Sequence, residues 1–180
     1  LEFWLKKKAF DTALTSKEVI CDIWNGGTQG ASDYGRVLLS IRDSGTSTDA
    51  PFILTVYDGT TGFTEKVLGS SNITSGSLAN DLWQHYAVTM QNSGSDFITK
   101  LYVSGALNDR DTTAGTNLGT LAAKTGGGAL SARIGATITS PPGLSIGPGA
   151  GKLSASMDEF RFWKAARNAQ EIGEHWFTQV

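Results

Sequence analysis

The 180 residues carry 15 Lys and Arg against 17 Asp and Glu, a formal charge of −2, with 39% hydrophobic residues and 22 glycines. That length fits one domain with a sizeable core, and the near-neutral charge excludes the clustered basic face of a nucleic-acid binder. Cys21 is the sole cysteine, so no intrachain disulfide can form, and no run of about 18 apolar residues is present to span a membrane.

Segments of period 2 recur along the chain and mark strands. In chain order they are Leu1–Lys6, Val19–Trp24, Arg36–Arg42, Phe52–Tyr57, Phe63–Leu68, Trp83–Met90, Phe97–Val103, Ala132–Ile138 and Leu153–Trp163. The separators are turn formers such as Asn25-Gly-Gly27, Asp43-Ser-Gly45, Asp58-Gly-Thr-Thr-Gly62, Asn92-Ser-Gly94 and Thr125-Gly-Gly-Gly128. Lys6-Lys-Lys8 is read as an exposed edge or loop. Ser104-Gly105 suits a two-residue hairpin connection after Leu101-Tyr-Val103. Residues 108–128 hold no long apolar run beyond Leu118–Ala123 and are read as a loop. Thr139–Gly151 is read as a long surface loop, because its prolines remove ladder donors. Ser75–Leu82 is a single helical turn at most. Many short strands at this spacing indicate an all-β fold, an antiparallel jelly-roll β-sandwich forming one domain over residues 1–180. The chain starts at Leu1 already in a strand pattern, with no initiator Met, and is read as a piece of a longer polypeptide.

The last strand leads into the one convincing helix. Leu153, Ala155, Met157, Glu159, Arg161 and Trp163 share one side of a strict alternation, with Ser154, Ser156, Asp158, Phe160 and Phe162 on the other. Bulky groups on both sides predict that its C-terminal end is covered on both faces. Asn168-Ala-Gln-Glu171 fits a capping box, and Ile172 and Trp176, four apart, give the helix one apolar stripe to lay on a sheet. In Trp83–Met90 the alternation sets Trp83, His85, Ala87 and Thr89 against Tyr86, Val88 and Met90, which predicts the middle of a two-layer sandwich.

Three segments together resemble the laminin-G-like, pentraxin-like branch of the concanavalin A-like sandwiches. They are Glu2-Phe-Trp-Leu5; Trp83-Gln-His-Tyr-Ala-Val-Thr89 leading to Leu101-Tyr-Val-Ser-Gly105; and Ala132-Arg-Ile-Gly-Ala136 followed by Met157-Asp-Glu-Phe-Arg-Phe-Trp163 and the terminal helix. The family's usual first strand has no counterpart before Glu2; either it lies upstream or another segment fills that edge. The stretch from Trp163 to Val180 is also similar to the ends of laminin-G-like domains in large structural proteins of tailed marine bacteriophages. That likeness implies a virion origin and a chain that continues past Val180.

The chemistry of the residues argues against catalysis. His85 and His175 are the only histidines. The first sits mid-strand and reads as a hydrogen-bonded core residue, the second as exposed, and no Gly-x-Ser-x-Gly elbow is present. A retaining glycosidase needs two carboxylates about 5–5.5 Å apart. Glucanases of this superfamily are expected to set theirs as Glu-x-Asp-x-x-Glu on one strand, whereas here Asp158 and Glu159 are adjacent and the pleat sends them to opposite faces. Glu159 is expected to pair with Arg161 or another buried cation, and Asp158 to satisfy loop N–H groups at a strand edge. No catalytic residue is therefore assigned, and the metal set stays open. The resemblance implies calcium at the sandwich rim, toward which Asp22, Asp33, Asp43, Asp49, Asp58 and Asp96 stand as turn-borne candidates. Trp24, Tyr34 and Tyr57 are candidates for stacking on sugar rings, with core packing favoured for Trp24. The leading expectation is a non-catalytic module of a larger virion or extracellular protein that binds other modules or a host surface. The alternative is a calcium-assisted, carbohydrate-binding module of a secreted bacterial protein that takes cell-surface glycans. A sandwich hydrolase or lyase is the third reading.

Overall fold

The computed structural model describes residues 1–10, 17–43, 50–69, 73–119, 121, 129–141 and 150–177. In chain order the elements are β1 (Glu2–Lys6), β2 (Glu18–Trp24), β3 (Gly35–Ile41), β4 (Phe52–Asp58), β5 (Thr61–Leu68) and α1 (Ser75–Leu78). Then follow β6 (Trp83–Ser93), β7 (Asp96–Val103), β8 (Ala106–Thr113), β9 (Ser131–Ile134), β10 (Ser156–Arg161) and α2 (Ala169–His175). Two antiparallel five-stranded sheets result, sheet A in the order β10-β1-β6-β7-β8 and sheet B in the order β5-β4-β3-β2-β9. The expected all-β sandwich with a short C-terminal helix is what the chain forms.

Alternation fills the space between the sheets. Phe3 and Leu5 of β1, Tyr86 and Val88 of β6, and Leu39, Phe52 and Leu54 of sheet B are all but fully buried in one cluster. The rings of Phe52 and Tyr86 meet across the two layers at 4.9 Å. As its two-faced pattern predicts, β6 holds the centre of sheet A, between β1 and β7.

Three sequence expectations change. The loop read over residues 108–128 begins as a strand: β8 pairs with β7 from Phe97↔Thr113 to Val103↔Ala106. Its residues Ala106-Leu-Asn-Asp-Arg-Asp-Thr-Thr113 are polar because this edge is solvated, so the sequence offers no apolar alternation. The hairpin turn itself is as read, with Ser104 (φ 47°) and Gly105 (φ 79°) both left-handed, the twist-matched geometry of a two-residue connection. The strand predicted over Ala132–Ile138 stops at Ile134, where Gly135 turns with φ 79°. Finally, β10 does not alternate strictly. Glu159 has φ 51° and the β1–β10 register slips between Glu2 and Trp4, a β-bulge. Met157 and Phe160 consequently both pack on the core, and Asp158 and Glu159 lie between them instead of on opposite faces. The end of this stretch is not covered on both sides either, since Phe162 and Trp163 are 56% and 44% exposed.

Buried charge fixes the segments that cross the outer faces. Asp22 lies mid-strand with no exposure and receives Arg36 bidentately, Nε at 2.9 Å and Nη2 at 2.5 Å, while its Oδ2 accepts the N–H of Ile138 at 2.7 Å. Arg36 in turn donates to the carbonyls of Thr139 and Ser140. Asp22 is thus a structural anchor and not a rim ligand. Lys7, read as exposed, is also fully buried: its Nζ bonds both oxygens of Glu18 at 2.7 and 2.8 Å and the carbonyl of Ser154. Lys6 and Lys8 keep solvent contact. On the outer face of sheet A, α2 starts at the Asn168–Glu171 capping box and lays Ile172 on Ala87 and Tyr102. Trp176 stacks near Trp4 and His85 at 5.7 and 6.1 Å.

Removing one partner of a buried pair strands the other charge. Asp22→Ala should cost about 3–5 kcal/mol in urea unfolding, and Asp22→Leu combined with Arg36→Met should recover most of that loss. A Cβ at Gly105 would come within 2.2 Å of the Trp176 ring on a left-handed backbone. Gly105→Val should therefore expel Trp176, seen as a red shift of tryptophan emission and a lower melting temperature.

Candidate functional site

At one end of the sandwich a cavity of about 550 Å³ lies between the sheets. Val37 and Val56 of sheet B and Val88 and Met90 of sheet A line it with hydrocarbon, and Leu118 and Phe97 extend that lining. These positions follow from alternation: they belong to the inward-facing set that fills the core, and Val56, Val88, Phe97 and Leu118 are themselves buried. The segment from Phe162 to Arg167, which leaves β10 toward α2, forms one wall and carries the two exposed aromatic rings to the mouth. The volume falls in the range of roughly 300–1,000 Å³ common to small-molecule sites.

Four charged side chains border the cavity: Glu2, Asp58, Lys164 and Arg167. Glu2 is 3% exposed, and both of its oxygens accept from Arg167 Nη1, at 2.7 and 2.8 Å. The same guanidinium donates to the Glu171 carbonyl and lies 4.9 Å from the Trp163 ring. Asp58 Oδ2 accepts the Gly119 N–H at 2.6 Å. Each carboxylate of the cavity is therefore already engaged by a protein donor. Tyr57 is half-buried with its hydroxyl 2.9 Å from Thr64 Oγ1 and its ring against Tyr34.

The sequence-chosen residues are scattered. Asp158 and Glu159 do not border the cavity; Glu159 pairs with Arg161 at 2.5 Å, as expected, whereas Asp158 Oδ1 accepts the N–H of its strand neighbour Glu159 and not one from a loop. Asp96 Oδ1 accepts the Gly115 N–H and Asp33 supplies its carbonyl to Asn25. Asp43 stands after β3, Asp49 lies outside the described residues, and no group of three metal-ligating side chains occurs among the described residues. Trp24 is half-buried and donates Nε1 to the Gly27 carbonyl, and Tyr34 is buried. Burial pushes the Cys21 thiol up to about 12, and the adjacent Asp22 adds to that, so it is no nucleophile at neutral pH. Reasoning from sequence missed Lys164 and Arg167 at the mouth; the available signal was a pair of cations directly following the adjacent aromatics Phe162 and Trp163.

His85 sits on the outer face of sheet A, 3% exposed, and its Nδ1 has no partner among the described residues. Desolvation lowers its pKa from 6.5 to about 4; Glu2 opposes this, and Arg161 and Arg167 add to it. The fold thus favours the neutral ring, and the unfolded chain binds the extra proton between these values. The contribution is whole above about pH 6.5 and is lost as the pH falls toward 4, about 3 kcal/mol in all. In urea titrations across that window His85→Phe should show a shallower decline than the parent chain; parallel curves would exclude a titrating His85.

A laminin G family model, described as the concanavalin A-like lectin/glucanases superfamily, matches residues 1–173. No curated protein and no solved structure gives a significant match. Laminin G-like domains are usually non-catalytic binding modules, and the superfamily also includes enzymes. With two facing five-stranded sheets and a match over nearly its whole length, the chain belongs to the concanavalin A-like lectin/glucanase superfamily, on its laminin G side.

Proposed function

We propose that the chain is a non-catalytic binding module of a larger extracellular or virion protein, and that its contact site is the end cavity with its aromatic mouth. The observation that carries this reading is the composition of that cavity. Its lining is mostly hydrocarbon, and its two carboxylates are held by Arg167 and by the Gly119 amide. General acid–base work on a glycosidic bond needs two acids presented to the substrate, and none is presented here. The virion alternative rests only on the similarity of the tail from Trp163 onward, of which residues 178–180 lie outside the described part.

A carbohydrate-binding reading has one observation in its favour. Trp163 is 44% exposed while Arg167 holds it on one side, which leaves a ring at the mouth for stacking on a sugar. In that reading the partner is a cell-surface glycan and calcium is supplied at the rim. No helix of the described residues is long and apolar enough to cross a membrane.

Arrays of glycans and of cell-envelope extracts, probed with and without calcium, test both readings. Retention should fall about tenfold or more in Trp163→Ala, since exposed aromatic anchors dominate such contacts. A sugar-specific, calcium-dependent signal selects the lectin reading. Cleavage of a β-glucan or alginate that disappears in Asp158→Asn or Glu159→Gln would overturn the non-catalytic one.

A further inference from the structure

We infer that the end cavity takes an elongated apolar molecule with one anionic head group, its hydrocarbon body between the sheets and its head at Lys164. This rests on the reading of the cavity as the contact site and goes further, in naming the class of ligand. Two observations carry it. The first is the interior. Val37, Val56, Val88, Met90, Phe97 and Leu118 offer no hydrogen-bonding side-chain groups; the lining also holds the Tyr57 hydroxyl, committed to Thr64, the Leu1 amino group, which donates to the Val88 carbonyl, and the Thr89 hydroxyl. A hydroxyl-rich ligand buried there would leave its donors unpaired, a cost that an alkyl or ring hydrocarbon does not meet.

The second is the charge at the mouth. Glu2 and Arg167 neutralise each other, and the Asp58 carboxylate accepts from a backbone amide. Lys164 is exposed and has no ion-pair or hydrogen-bond partner among the described residues. Among the described residues its ammonium is therefore the one charged side chain of the lining left without a protein partner, and it stands next to the exposed Trp163 at the entrance. An anion is the complement, and hydrocarbon is the complement of what lies behind it. A carboxylate, sulfate or phosphate head shares this chemistry.

Dodecanoate, dodecanol and dodecyltrimethylammonium, each titrated calorimetrically below its micelle concentration, separate head from body. The parent chain should bind dodecanoate saturably with a stoichiometry of one, and more tightly than the cationic analogue. Lys164→Glu, at an exposed position, should weaken dodecanoate by about fivefold or more, leave dodecanol unchanged and reverse the head-group preference. Met90→Trp should fill the cavity and abolish binding of all three while the protein still melts cooperatively; should that variant not fold, the head-group selectivity of Lys164→Glu decides alone. Absence of saturable dodecanoate binding, or equal affinities for the three heads unaffected by Lys164→Glu, would overturn the proposal. Trp163-dependent retention on the arrays by a protein that ignores dodecanoate would overturn it while leaving the binding-module reading in place; loss of both would end both.

Discussion

The pairing of Glu2 with Arg167 is the contact on which the end of the molecule depends. Glu2 is fixed by β1, which is hydrogen-bonded on both sides, to β10 and to β6. Arg167 belongs to an irregular segment that has no ladder of its own. Through one guanidinium that segment is tied to the sheet, to the Glu171 carbonyl within α2 and to the face of Trp163. The position of the cavity wall and the start of the helix are thereby set together. Burying such a pair is costly in solvation, so its value lies less in net stability than in selecting one placement for the segment.

The same device recurs at two other segments without strand partners. Lys7 and Glu18 bond the carbonyl and the N–H of Ser154, and Asp22 and Arg36 bond Ile138, Thr139 and Ser140. A loop laid over a sheet loses water from backbone groups that no neighbouring strand can satisfy. A buried ion pair has spare donors and acceptors for several of them at once. That is how a chain with only 18% charged residues places some of its charges in the interior, and it explains why both outer faces of this sandwich are partly dry.

The binding chemistry follows from where these covers stop. Helix α2, with Ile172 over Ala87 and Tyr102 and Trp176 against Trp4 and Gly105, closes the outer face of sheet A. Between the sheets, at the end bordered by Phe162–Arg167, the described residues supply no comparable plug, and inward-facing valines and Met90 meet a cavity. A site assembled largely from strand residues on a stiff double sheet is held in shape before any ligand arrives, which lowers the ordering cost of binding. Its selectivity then depends on the few polar groups at the mouth.

Much of the fold was legible from the amino acids alone. Period-2 alternation located the nine predicted strands, Asn168 and Glu171 announced the helix start, and the two-faced pattern of β6 put it at the centre of its sheet. These signals are local, set by the pleat and by backbone groups a few residues apart. What alternation could not report was β8, whose exposed edge needs no apolar side, and the bulge at Glu159, one residue that inverts the facing of everything after it. The roles of Lys7, Asp22 and Arg36, and the meeting of Glu2 with Arg167, were decided only by tertiary structure. The same charged side chain is a solvated tip or a buried anchor according to which distant segment arrives over it, and pairs separated by 11, 14 and 165 residues leave no trace in local periodicity.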